Sequence, residues 1–270
     1  MRILISGKGG VGKTSIAGLL SIIFSRNGYN VLALDTDSVP NLAVTLGIPI
    51  EEAEKIVPLA RNDELAEERT GARPGEGWGL LFSLTPRVDD LAEKYGVKIN
   101  DNLKLVVVGS IEASKEGCLC PAIALAKAFL LHVMLQRKEV IIVDSEAGAE
   151  VFGRGLAEKF DLNITVAEPT IKSLHIARKL IRMAEELGIK DNILVINKVK
   201  DHLVATKLYR KVFGNTKTPF HLIRYDPMVE KLDQSGSGIG DLPPDSPFYK
   251  DVFSLYEKIT HLIRRKRNNV

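Results

Sequence analysis

Short β-branched apolar runs alternate with longer helical patterns along almost the whole chain. Strands are predicted at Arg2–Ser6, Val31–Asp35, Leu103–Val108, Glu139–Asp144, Asn163–Ala167, Asn192–Asn197 and Phe220–Arg224. Several are continuously apolar, as in Val140-Ile141-Ile142-Val143, where a half-solvated strand would alternate. Continuous runs belong to strands covered on both faces, hence to a mostly parallel sheet with helices on each side. Helical periodicity is read over Ser15–Arg26, Pro121–Gln136, Ile171–Leu187 and Pro247–Arg267. Residues 51–69 hold seven acids and three bases and read as a pair of solvated helices. The Gly-rich stretch Thr70–Gly79, with Pro74, reads as a loop. Both are excursions from one α/β domain over residues 1–270, because strand-helix alternation resumes after them.

Composition narrows the class. At 45% hydrophobic and 26% charged, the 270 residues fit a soluble protein and exclude a disordered chain, a collagen-like repeat or a coiled-coil rod. The net charge of +3 is local, because Arg264, Arg265, Lys266 and Arg267 carry four positive charges at the end. The remaining body is near neutral, which gives no sign of a nucleic-acid-binding face. The N-terminal Ile3-Leu4-Ile5 is too short for a signal-peptide core, and no uncharged run approaches the roughly 18 residues of a membrane span. The two cysteines, Cys118 and Cys120, cannot staple a secreted fold, and a bridge across one residue would be strained. A reducing cytoplasm is the expected location.

The strongest chemical signal is Gly7-Lys8-Gly9-Gly10-Val11-Gly12-Lys13-Thr14, which fits G-x-x-x-x-G-K-[ST]. It follows the first predicted strand and opens a helix, as a phosphate-binding loop must. Its glycines let consecutive backbone N–H groups curl around phosphates, and the helix turns its positive end toward them. Lys13 is expected to reach the β- and γ-phosphates, and the Thr14 hydroxyl to ligate Mg²⁺; the nucleotide-binding set runs from Gly7 to Ser15. The fold class expected is therefore a single-domain P-loop NTPase. Asp144 ends an apolar strand, where an acid holds Mg²⁺ through water. Asp37, just past the second strand, is expected to position or activate the attacking water, and both acids fall at the sheet's C-terminal edge. Asn197-Lys198 ends another apolar strand and offers an amide to an adenine edge. GTPases use a similar pair with an Asp two places on; here that place is Lys200, which favours ATP.

Lys8 adds a resemblance. A lysine second in K-G-G-V-G-K-T resembles the deviant Walker A motif of the superfamily of MinD, ParA and the nitrogenase iron protein. That resemblance implies ATP-dependent homodimers in which Lys8 acts catalytically on the partner's nucleotide. It places Asp37 in a first switch, Asp144 to Glu150 in a second, and Arg224-Tyr225-Asp226 beside the adenine. Within the superfamily, Asp144-Ser145-Glu146-Ala147-Gly148-Ala149-Glu150, Arg154-Gly155, Glu168-Pro169, Ile196-Asn197-Lys198-Val199, Gly47 with Glu51-Glu52-Ala53, Lys94-Tyr95-Gly96 and above all Cys118-Leu119-Cys120 resemble the CooC-type maturation ATPases of carbon monoxide dehydrogenase. This branch implies nickel insertion into a nickel-iron-sulfur cluster, carbon monoxide dehydrogenase as client, and a metal held by Cys118 and Cys120 between two subunits. Two departures bear on it. Ser38 and Val39 stand where many relatives have an acid-proline step, and no cysteine follows Asp144, which disfavours electron transfer of the nitrogenase-iron-protein kind.

The cysteine pair also has its own chemistry. Two thiolates per chain are half of a tetrahedral set, and a twofold dimer supplies four, suiting Zn²⁺, an iron-sulfur cluster or, if the geometry flattens, Ni²⁺. A helix starting near Pro121 would stabilise thiolates with its positive end. A buried structural pair is the alternative. The five histidines show no metal-ligand spacing, and His132, in an apolar helix, reads as a core residue. In the last helix Val252, Leu255, Tyr256, Ile259, Leu262 and Ile263 form an apolar stripe. Docking on the sheet is preferred to MinD-like membrane targeting, because no apolar residue interleaves the basic run. A MinD- or ParA-type positioning ATPase and an iron-sulfur carrier are the alternative functions.

Overall fold

Eight strands form one sheet: β1 (Arg2–Gly7), β2 (Val31–Asp35), β3 (Val97–Asn100), β4 (Leu103–Val107), β5 (Val140–Asp144), β6 (Leu162–Ala167), β7 (Asn192–Val199) and β8 (Phe220–Arg224). Their order is β3-β4-β2-β5-β1-β6-β7-β8, parallel throughout except for the β3–β4 edge. The computed structural model describes residues 1–72, 83, 85–111, 121–136, 139–146, 148–214, 216 and 218–268, with backbone only at 263 and 265–268. All seven expected strands are present. β4 stops one residue early and β7 runs two residues further, to Val199. β3 has no counterpart in the sequence reading, because its four residues alternate between half-buried and exposed at an edge.

The apolar runs have the cause inferred for them. Ile3, Ile5, Ala33 and Ile142 enter one core, while Leu4, Leu32, Leu34, Ile141 and Val143 enter the other, so successive residues are buried on opposite faces. Among the described residues the helices of eight or more residues are α1 (Lys13–Arg26), α2 (Asp63–Thr70), α3 (Pro121–Gln136), α4 (Ile171–Glu186), α5 (His202–Phe213), α6 (Pro227–Ser235) and α7 (Pro247–Asn268). α1 is buried from Ile16 to Ser25, almost all round, because the sheet lies on one side and α7 on the other. Phe24 and Tyr256 meet edge to face there, with centroids 4.8 Å apart. Val252, Leu255, Tyr256 and Ile259 are buried, so the last helix docks as its stripe implied. No helix of the described residues is long and apolar enough to cross a membrane.

Three regions depart from the sequence reading. α5 and α6 were not foreseen. Each starts at an aspartate whose carboxylate accepts from first-turn amides: Asp201 from Leu203 and Val204, Asp226 from Met228. Residues 51–69 are not a pair of solvated helices. They fold into the end of a short helix (Ile50–Ala53), a 3₁₀ turn (Leu59–Arg61) after Pro58, and most of α2. Leu59, Leu65 and Ala66 are fully buried there, so the acids cover only the outer side. Thr70 closes α2, and most of the loop expected after it lies outside the described residues. So do Cys118 and Cys120.

Candidate active site

β1 is a central strand, and its C-terminal end feeds the phosphate loop directly into α1. Gly7 has φ +144°, and a Cβ there would stand 2.4 Å from the Val166 carbonyl oxygen of β6. Gly12 has φ +93°, and its Cβ would meet the Asn197 amide nitrogen at 2.4 Å. Only glycine fits either position. Lys8, Gly9 and Gly10 are exposed, whereas Lys13 is buried and its Nζ donates to the Lys8 carbonyl at 3.3 Å. The ammonium group is thus parked against its own loop, above the N-terminus of α1.

Two acids stand side by side at the same edge. Asp35 of β2 and Asp144 of β5 are register partners, both fully buried. Asp35 accepts from the backbone N–H groups of Asp37, Asn41 and Leu42 at 3.0, 3.0 and 2.9 Å. Burial, its largest influence, pushes its carboxyl up to about 6 against these amides. Asp144 is different. Its Oδ1 is buried with no hydrogen-bond partner among the described residues. Burial and the neighbouring Asp35 charge push its carboxyl up to about 7, opposed by the Thr14 hydroxyl and the Lys13 ammonium. An orphaned carboxylate oxygen beside a threonine hydroxyl and a lysine fits a divalent cation accompanying phosphate.

Asp37 is half-buried at the mouth of the cleft, its Oδ1 accepting from the Val39 N–H at 3.1 Å. The next residue ties the segments after β2 and β5 together: the Ser38 N–H donates to Glu146 at 3.2 Å. Thr36 reinforces this, its N–H and hydroxyl both donating to the Asp144 carbonyl. Asp35, Thr36 and Glu146 were not singled out for these roles. Their signal was present, since each lies within two residues of an acid that was.

The phosphate loop, Asp37 and Glu146 line one cleft of about 660 Å³. Beside it a smaller recess gathers Gly12, Ser15, Asn197, Arg224, Tyr225 and Asp226, all expected to bind nucleotide. Three of these side chains have partners within the protein. The Asn197 Nδ2 donates one N–H to the Val11 carbonyl at 2.9 Å, which fixes the orientation of its amide group. Arg224 donates to both carboxylate oxygens of Asp251 at 2.8 Å, which raises its pKa further. Asp226 caps α6 and also accepts from the Ser246 hydroxyl at 2.6 Å; burial opposes ionisation, but these donors hold its carboxyl low. Arg224 and Asp226 therefore build the frame of the recess. Tyr225 is held at its rim, with its hydroxyl donating to Glu230 at 2.9 Å and the Lys200 ammonium 4.8 Å over its ring.

The histidines lie away from the cleft. His132, expected in the core, is only half-buried in α3, and His221 is buried between Asp251 and Lys258 at the base of α7. Among the described residues no group of three or more His, Cys, Asp or Glu is placed to hold a metal ion.

Comparison with known proteins agrees with this geometry. The model of the CobQ/CobB/MinD/ParA nucleotide-binding domain matches residues 3–239. An uncharacterised ATP-binding protein of Methanocaldococcus jannaschii is 41% identical over 264 residues, covering 97% of this chain and 98% of that protein. The carbon monoxide dehydrogenase accessory protein CooC of Rhodospirillum rubrum is 38% identical over 247 residues, covering 90% and 91%. Among solved structures, the septum site-determining protein MinD of Pyrococcus horikoshii, complexed with Mg-ADP, superposes with a TM-score of 0.66 over 97% of this chain and 96% of that one, at 21% identity. The last likeness bears on the fold.

Proposed function

The chain is an ATPase of the CobQ/CobB/MinD/ParA nucleotide-binding family, and from that premise we propose that it works as an ATP-controlled homodimer in the maturation of carbon monoxide dehydrogenase. In this reading the loop amides from Gly9 to Thr14 and the N-terminus of α1 receive the β- and γ-phosphates. Lys13 leaves the Lys8 carbonyl for the phosphate oxygens, a short move from its parked position. Thr14 and Asp144 would hold Mg²⁺, which offsets phosphate charge when bound. Asp37 orients the attacking water at the γ-phosphate. Lys8, exposed at the start of the loop, extends to the nucleotide of the second subunit.

Base preference follows from Asn197 and Lys200. One Asn197 N–H is held by Val11, which leaves its second N–H and its oxygen for a base. Adenine presents an amino donor beside a ring-nitrogen acceptor, which such a pair matches. Lys200, standing where a guanine-reading acid is found in GTPases, acts in the same direction.

The client and cargo rest on one observation: similarity to CooC over nine-tenths of both chains, in a sequence that carries Cys118-Leu119-Cys120. Cys118 and Cys120 from two subunits supply four thiolates for nickel as cargo, with zinc or an iron-sulfur cluster as the other metals such a set accepts. The test is a titration of the full chain with Ni²⁺ and Zn²⁺ in the presence of ATP or ADP. Wild type is expected to take up about one ion per dimer and Cys118→Ser none. No stoichiometric metal in either protein overturns the metal role.

A further inference from the structure

We propose that Asn197 and Lys198 form a tether that holds the phosphate loop in its anion-accepting shape before any nucleotide binds, with Glu168 seating the lysine. The inference rests on the reading of the cleft as a nucleotide site and adds positioning residues to it.

Two consecutive loop carbonyls are gripped by side chains from the end of β7, at the edge of the cleft. The Lys198 Nζ donates to the Gly10 carbonyl at 2.8 Å, and the Asn197 Nδ2 to the Val11 carbonyl at 2.9 Å. A trans peptide is planar, so fixing its C=O fixes the N–H on the opposite side. Holding these two oxygens toward β7 therefore turns the N–H groups of Val11 and Gly12 away from it, to the side proposed for the phosphates. The loop needs such support. A Cβ on Gly9 or Gly10 would meet nothing within 4 Å, so packing does not constrain them, and glycine has the most conformations to lose.

β7 is distorted where the tether leaves it. In a regular strand adjacent side chains point to opposite faces, so 197 and 198 could not both reach one loop. Here the register with β8 breaks between Ile196 and Val199, and Lys198 has φ 58°, alone among described non-glycine residues in being positive. A left-handed lysine is disfavoured by its Cβ, and this one persists where it re-aims two side chains at once. Glu168, just past β6, accepts from the same Nζ at 2.8 Å and sets the lysine between two strands and the loop.

The experiment uses the full chain with Lys198→Ala, Lys198→Gly, Lys198→Arg and Glu168→Ala. Amide hydrogen exchange of residues 9–14 is read in nucleotide-free protein, and Mg-ADP affinity by calorimetry. Lys198→Ala and Lys198→Gly are both expected to speed loop exchange and weaken ADP binding by about tenfold, with Glu168→Ala losing about threefold and Lys198→Arg restoring most of it. Recovery in Lys198→Gly would mean that only the backbone turn matters, and that overturns the tether. Unchanged loop exchange in Lys198→Ala does the same, and if that variant does not fold, unchanged exchange in Glu168→Ala decides against it. Wild-type protein that binds no ADP would sink the nucleotide reading, while the exchange measurements still judge the tether.

Discussion

The C-terminal ends of β2 and β5 are near twins that behave differently. Each is a continuously apolar strand closed by an aspartate, and Asp35 and Asp144 are register partners with no exposed surface to separate them. Yet Asp35 has three backbone donors on its carboxylate, and Asp144 has an oxygen with none among the described residues. Asp35 gathers the amides of the segment that carries Asp37 and so shapes it. Asp144 faces Thr14 and Lys13, which offset its burial only in part. Position and burial do not distinguish the acid proposed as structural from the one proposed to hold the cation. The partner count does, because a buried oxygen left without a donor is retained only where something else completes it.

Substitutions that remove one acid at a time set this contrast against experiment. The largest effect is expected from Asp144→Asn: ATP hydrolysis falls by about 10³-fold through loss of the magnesium position, with the fold intact by circular dichroism. Retained phosphate release would end the chemical assignment of Asp144. Asp35→Ala should show the reverse signature. It strands three N–H groups, that of Leu42 buried and those of Asp37 and Asn41 partly so, which costs about 3 kcal/mol in urea unfolding. Equal losses of stability in the two variants would mean that both acids are structural.

Much of this was legible in the sequence, and the limits have physical causes. A phosphate loop is local: its spacing, preceding strand and following helix are all within two dozen residues, so Gly7 to Ser15 and the acids ending apolar strands could be read directly. The buried faces of β1, β2 and β5 were equally readable, because two-sided burial leaves a continuous apolar run. Partnerships across the fold were not. The Arg224 guanidinium pairs with Asp251, 27 residues away on α7, which no local pattern announces. The register break beside the Asn197 bond to Val11 likewise leaves no mark in Ile196-Asn197-Lys198-Val199. β3 was invisible for a simpler reason, since an edge strand with alternating half-exposed residues needs no apolar run.

The finest test of the contrast is its pH dependence in nucleotide-free protein. Burial moves Asp35 from 3.8 to about 6 and Asp144 from 3.8 to about 7, so both groups hold protons more tightly when folded. Below pH 4 the folded and unfolded chains are both protonated at these sites and nothing is lost. As pH rises from 4 to 7 the unfolded chain releases protons that the folded chain keeps, and stability falls through that window. Carboxylates with lowered pKa values, such as Asp90 beside Arg69 and Asp226 beside Ser246, act in the opposite sense, so the total curve hides the pair. The difference between wild type and Asp144→Asn isolates it. The variant cannot ionise at that position, and its stability relative to wild type should climb by on the order of 4 kcal/mol between pH 4 and 7.5. Urea unfolding across that range, with magnesium chelated, measures the climb. A flat difference would mean that burial does not raise the Asp144 carboxyl at all, and the two strand ends would lose the electrostatic side of their contrast.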